Sequence, residues 1–348
     1  MARPRRIVVC DRSAGRARTL ARVLEGDPGL EVTASFDAVE AMVPALRLIA
    51  PDLIALDLAT AGTDVGAAIE SVRREGPAPV LILGNGAQEG DDRVAAALGA
   101  GALEAIDGGR LDLDRADGIW ATALRSRFKR LASHRSGRPQ GSEVPAPPLP
   151  PASPAQADGN YRAIGIGASV GGPQALATVL GGLRADFALP VLIVQHMAEG
   201  FGSSLAQWLD RTVAIPVAVA EDGAALRPGA WLAPDGAHLR LARTLRFSLD
   251  DTTVRGSHRP SLDVLLESLA DSLGAAAVGV VLTGMGRDGA EGIRALVAAG
   301  GLAMAQDEES SAVFGMPAAA VESGVREVLP LAKISARLAG LRATEARR

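Results

Sequence analysis

The sequence predicts an α/β protein built from two doubly wound, mainly parallel-sheet domains. Three observations predict it. Residues 6 to about 130 alternate short apolar runs with helix-length segments five times over. A stretch without hydrophobic periodicity, 137–158, then interrupts the chain; it is rich in Pro, Ala, Ser and Gln and holds seven prolines. Beyond it, apolar strands again lead through small-residue turns into helices. The expected division is therefore a first domain over 1–136, a semi-extended linker over 137–158 and a second domain over 159–345. The 348 residues agree with two domains at a soft prior of about 150 residues each.

The strands of the first domain are expected at 6–10, 31–34, 53–57, 80–83 and 104–106. Acidic residues at two strand ends, Asp11 and Asp57, could share a divalent cation. From Arg125 to Arg138 the chain carries six Arg or Lys and no acid. Two readings apply: a solvated helix end whose cations suit the dipole, or a basic docking patch; we favour the first.

Composition limits the function classes. Apolar residues make up 48% of the chain and aromatic residues 3%, so both cores must be aliphatic. Cys10 is the only cysteine, which rules out an intrachain disulfide or a cysteine metal cluster. A net charge of −4 gives no general reason to expect nucleic-acid binding. The first apolar run, Ile7 to Cys10, is too short for a signal-peptide core or a membrane span. A cytoplasmic protein without membrane insertion is the expectation.

The second domain carries the chemistry. The strand from Ala163 to Ile166 runs into Gly167-Ala168-Ser169-Val170-Gly171-Gly172-Pro173, and a helix can start at the proline. The turn lifts the Ser169 hydroxyl to a strand's carboxyl end beside a helix N-terminus. Ser169 is then a nucleophile or part of a phosphate cradle. Gly165, Gly167 and Gly171 imitate a dinucleotide-binding turn, but that reading needs an acid at the end of the next strand. The next strand, Val191 to Val194, ends in Gln195 and His196. The nucleotide reading fails there.

Four histidines are available as a base. His134 lies in the basic stretch, His258 in an expected loop, and His238 opens an expected hairpin after Pro234-Asp235-Gly236. His196 alone ends an apolar strand expected to neighbour that of Ser169; it is either the base or a strand-end histidine bonded to backbone. A third strand, Val278 to Leu282, turns through Thr283-Gly284-Met285-Gly286-Arg287-Asp288 into a helix. Asp288 could cap that helix, with Glu291 completing a capping box. A hydroxyl, an imidazole and a carboxylate at three neighbouring strand ends also make a nucleophile, a base and an orienter. Their order, Ser, His, Asp, differs from that of the nucleophile-elbow hydrolases.

Residues 162 to about 341 resemble the catalytic domain of the CheB chemotaxis methylesterases. The matching segments are Ile166-Gly167-Ala168-Ser169, Gln195-His196-Met197, Ala220-Glu221-Asp222-Gly223, Leu232-Ala233-Pro234 and His258-Arg259-Pro260-Ser261. Then follow Leu282 to Ala290, Gln306-Asp307-Glu308 and Phe314-Gly315-Met316-Pro317. The resemblance implies Ser169 as nucleophile, His196 as base and Asp288 as the third member. Backbone N–H groups of Val170 and Met285 would hold the oxyanion, and hydrolysis would need no cofactor. The implied substrate is the methylated glutamate of cytoplasmic chemoreceptor helices, with deamidation of certain receptor glutamines. Where the family usually has threonine after the nucleophile, this chain has Val170. An oxyanion hole that used that hydroxyl would lose roughly 3 kcal/mol. A binding-only regulator that docks on receptors is the alternative.

The first domain resembles a response-regulator receiver, with Asp57 at the phosphoacceptor position and a chemotaxis histidine kinase as the implied partner. Magnesium would sit at Asp11 and Asp57. Several site residues depart from that pattern. Cys10 replaces the first acid, Gly84 stands where a hydroxyl is expected, Gly108 aligns with the lysine, and Ala105 replaces an aromatic. Lys129 and Lys333 are the only lysines; Arg110 is close in sequence, but a guanidinium is not a simple substitute. Asp57 is therefore expected to be a poor phosphate acceptor.

Overall fold

The computed structural model describes residues 3–84, 92–107, 119–133, 160–253, 255 and 258–343. The predicted linker, His134, Gly108 and Arg110 lie outside them. The chain divides into two compact units: Met1–Arg138 with Met197–Ser204, and Pro139–His196 with Leu205–Arg348.

The first unit is a five-stranded parallel sheet. It comprises β1 (Arg5–Cys10), α1 (Ala14–Glu25), β2 (Leu30–Phe36), α2 (Val39–Met42), α3 (Leu46–Ile49), β3 (Leu53–Asp57), α4 (Val65–Glu75), β4 (Val80–Gly84), α5 (Asp92–Gly99), β5 (Glu104–Asp107) and α6 (Ile119–Leu131). The strand order is β2-β1-β3-β4-β5, the doubly wound receiver or flavodoxin-like arrangement. Every residue of β3 and β4 is buried, because helices cover both faces of a parallel sheet. Val8, Ile54, Leu56 and Ile82 pack with Val65, Ile69 and Val72 in one core. The five strands stand where the sequence places them, β2 two residues longer at its carboxyl end.

Three cations in the described part of the basic stretch, 125–133, are bonded within the unit. Arg125 Nε donates to Val23 O at 2.6 Å, Lys129 pairs with Asp27 at 2.8 Å, and Arg127 pairs with Glu104. These cations fasten α6 to its neighbours.

The second unit holds β6 (Asn160–Tyr161), β7 (Ala163–Ala168), α7 (Gly172–Gly181), β8 (Pro190–Gln195), α8 (Gly202–Thr212), whose first turn groups with the first unit, β9 (Val217–Val219) and β10 (Gly229–Leu232). The hairpin β11 (His238–Leu241) and β12 (Phe247–Asp250) follows, then α9 (Leu262–Leu273), β13 (Ala277–Val281), α10 (Ala290–Ala298), β14 (Leu302–Gln306), α11 (Met316–Glu322), β15 (Glu327–Leu329), α12 (Leu331–Ala339) and β16 (Arg342–Ala343). Seven strands form one sheet in the order β15-β14-β13-β7-β8-β10-β9, and all its pairings are parallel. The chain starts at the central β7, builds outward through β8, and returns to lay β13 on β7's other side. Ligands of such sheets bind where the winding reverses, outside the strands' carboxyl ends.

Leu262, Leu265, Leu266 and Leu269 line α9 at helical spacing and are fully buried. They lay α9 along the sheet in one core with Val281, Ile293 and Leu296. A helix crossing back before a parallel strand begins at the carboxyl-end edge of the sheet. The first N–H groups of α9 therefore arrive at that edge.

Candidate active site

Three neighbouring strand ends supply the site, since β13, β7 and β8 are adjacent in the sheet. Ser169 follows β7 and is gripped through its backbone. Its N–H donates to Thr283 O at 3.0 Å, and its carbonyl accepts from Gly172 N at 2.9 Å and from Gln195 Nε2 at 2.8 Å. Gly171, at φ 74°, turns the chain into α7, a left-handed conformation that side chains resist. Gly284 comes so close that a Cβ there would lie 2.9 Å from Ser169 Cβ. Gln195, the last residue of β8, is thus a brace for the serine turn.

His196 N–H donates to Ala168 O at 2.9 Å, so the ladder between β7 and β8 continues to the base position. Its Nε2 lies 2.7 Å from Asp288 Oδ2. A carboxylate only accepts, which places the proton on Nε2 and leaves Nδ1 as the lone-pair atom. Nδ1 is buried without a hydrogen-bond partner among the described residues. His258 stacks on the same ring with centroids 4.1 Å apart and planes 10° from parallel.

Asp288 does not cap its own helix. The N-cap of α10 is Gly289, without a side-chain cap, and Glu291 pairs with Arg294 instead. The Asp288 carboxylate faces the N-terminus of α9. Leu262 N donates to it at 2.7 Å, Asp263 N at 3.2 Å and Ser261 Oγ at 2.7 Å. Burial alone would raise this carboxyl, but the His196 bond and charge and the donors on α9 outweigh it and hold it well below the usual range. Ser261 is held in turn: its N–H donates to Nδ1 of the fully buried His238 at 3.1 Å, whose Nε2 donates to Thr253 O at 3.1 Å.

Sequence reasoning missed Ser261, His238 and His258 as parts of this assembly. Two of them stand in the quoted segment His258-Arg259-Pro260-Ser261, which was the available signal. Thr283 was also missed. It is buried, and its hydroxyl donates to Val170 O at 2.9 Å. That hydroxyl is committed to the turn, so it does not replace the one absent from Val170. No hydrogen bond among the described residues takes up the backbone N–H of Val170 or of Met285.

In the first unit, Asp11 and Asp57 do meet. Asp57 Oδ2 accepts from Thr60 N and Thr60 Oγ1, both at 2.9 Å, and Asp11 Oδ1 accepts from Ser13 N at 2.8 Å. Burial raises the Asp11 carboxyl, against the pull of the Ser13 N–H. Burial, followed by the Asp11 charge, pushes the Cys10 thiol up to about 12, so it is neutral at physiological pH. The expected magnesium set does not fit these residues. A neutral thiol stands at one ligand position, and magnesium prefers oxygen. Arg16, moreover, bridges both carboxylates, with Nε 3.4 Å from Asp11 and Nη2 3.3 Å from Asp57.

A family model described as CheB methylesterase matches residues 164–338. A protein-glutamate methylesterase/protein-glutamine glutaminase of Anaeromyxobacter dehalogenans is 40% identical over 343 residues, 95% of each chain. One of the same name from Myxococcus xanthus is 37% identical over 96% of each. The crystal structure of the Thermotoga maritima CheB methylesterase catalytic domain is 38% identical, with a TM-score of 0.50, over 52% of this chain and 98% of that one. By family model, by full-length relatives and by the fold around these three strand ends, the chain belongs to the CheB methylesterase family.

Proposed function

We propose that this chain is a serine hydrolase that cleaves glutamate γ-methyl esters on chemoreceptors and deamidates receptor glutamines. One observation carries the reading: a serine, an imidazole and a carboxylate come from the turns after three adjacent strands, at the winding reversal of one sheet. There the His196–Asp288 bond is formed, and the opposite ring nitrogen, Nδ1, has its lone pair open.

Ser169 Oγ attacks the ester carbonyl while its proton passes to His196 Nδ1. That bond is not made in the free protein; such contacts often tighten only with substrate. Asp288, anchored on α9, fixes the tautomer and balances the imidazolium. The oxyanion is met by the Val170 and Met285 N–H groups, which take no hydrogen bond among the described residues. His196 then gives its proton to the departing methoxide, and methanol leaves. Water, deprotonated by His196, releases glutamate and restores Ser169. With a glutamine the leaving group is ammonia and the other steps are the same. The chain's own groups and water move every proton, so the cycle calls for no cofactor. Substrates on cytoplasmic receptor helices put the working protein in the cytoplasm.

In the same reading, Asp57 is a poor phosphate acceptor, because the residues around it lack a fitted divalent site. The test of function is methanol release from methylated receptor membranes. Release of methanol supports the hydrolase. Receptor binding without release replaces it with a docking regulator.

A further inference from the structure

Outside the hydrolase site, the carboxyl ends of β1 and β3 carry two buried acids and one guanidinium. Asp11 is 4% and Asp57 1% exposed, and the Arg16 side chain between them is 28% exposed. We infer that Arg16 is the resident cation of this receiver, holding Asp11 and Asp57 in place of a divalent ion. This goes beyond the hydrolase reading and stands or falls separately from it.

The charge balance supports the exchange. With an acid at position 10, three carboxylates around a divalent ion would leave one net negative charge. Here Cys10 supplies no carboxylate, and two carboxylates around one guanidinium leave the same net charge. The loss of the acid and the replacement of the metal compensate each other.

The hydrogen bonds point the same way. Asp57 Oδ2 is occupied by the two Thr60 donors and Asp11 Oδ1 by Ser13 N–H. The remaining oxygens are Asp57 Oδ1 and Asp11 Oδ2. Oδ1 of Asp57 is buried without a hydrogen-bond donor among the described residues, and the charge facing it is Arg16 Nη2. Oδ2 of Asp11 faces Arg16 Nε. A metal would have to take both oxygens from a cation that never deprotonates in proteins. Two buried carboxylates this close need a neutralising partner, and α1 supplies one from its first turn. Among the described residues, no group of three or more His, Cys, Asp or Glu side chains could hold a metal ion.

The experiment counts manganese bound to the full-length protein by the loss of its free-ion EPR signal. The variants are Arg16→Gln and Cys10→Asp/Arg16→Gln, with circular dichroism to confirm folding. The wild type should bind no manganese at the receiver, and the double variant should bind it at least tenfold more tightly. Adding Asp57→Asn to the double variant should remove that gain. Melting in magnesium against sodium chloride of equal ionic strength gives the second readout. The wild type should be indifferent, and Arg16→Gln should melt lower and recover with magnesium. Equal manganese affinity in wild type and double variant overturns the inference, as does a folded double variant that binds none. If neither variant folds, the wild type decides: melting raised by magnesium overturns the inference, and indifference to it, beside variants that need Arg16 to fold, supports it.

Discussion

Two aspartates at the carboxyl-end edges of the two sheets, the half-buried Asp288 and the buried Asp57, are set apart by their partners. Asp288 receives three donors from the start of α9 and holds an imidazole whose far nitrogen is open. Asp57 receives both donors of Thr60 and the charge of Arg16. In the first case the carboxylate's field is passed on through a group that can accept a proton. In the second a cation without a transferable proton absorbs it. Placement at a sheet's carboxyl-end edge is common to both; reactivity follows from what the carboxylate is bound to.

The comparison breaks most sharply at the base. His196→Gln should lower methanol release about 10⁴-fold and leave folding intact. A near-normal rate would move the base elsewhere and end the parallel.

Asp288→Asn tests both halves of the comparison on one residue. Its rate should fall about 10³–10⁴-fold. Stability should also fall, by about 1–3 kcal/mol, because an amide cannot accept from all its present donors. In the His196→Gln background the rate loss should not add, since the groups act as one unit. Loss of stability at full rate would reduce Asp288 to a cap for α9. The sign of its pH dependence follows from its lowered pKa. The stabilisation is fully present above the ordinary value of 3.8 and is lost as pH falls below it toward the lowered folded value. Acid melting curves of wild type and Asp288→Asn should therefore converge below about pH 4.

Ser261→Ala removes one of the donors to Asp288 and should cost about tenfold in kcat, roughly 1.4 kcal/mol, with KM unchanged. Ser261→Thr, which restores a hydroxyl, should recover most of it. A pure change in KM would place Ser261 in substrate binding. The smallest effect belongs to the first unit: a small phosphodonor with magnesium should leave the intact mass of the protein unchanged. A stoichiometric phosphoryl adduct, lost in Asp57→Ala, would make the two aspartates alike after all.

Much of this was legible in the sequence. Both sheets and the three strand ends follow from apolar runs meeting small-residue turns, and the hairpin after Gly236 from its turn residues. The partners of each carboxylate were harder to read. Asp288 could also be read as the cap of the helix it precedes, because sequence spacing reports neighbours in the chain. Its donors come from a helix more than twenty residues earlier, brought in by the return of β13 onto β7. His238 does open the expected hairpin, but its full burial and its bond to Ser261 had no signal in the sequence. Arg16 carried no signal either: one arginine among many on α1 gains meaning only when β3 is laid beside β1.

The central claim rests on the hydroxyl of Ser169. The decisive measurement is methanol release from methylated receptor membranes by the wild-type chain and by Ser169→Ala, at equal protein and equal receptor binding. The account predicts steady release by the wild type and a loss of about 10⁴-fold or more in the variant, with unchanged melting. Release by Ser169→Ala within a few-fold of the wild type would contradict it.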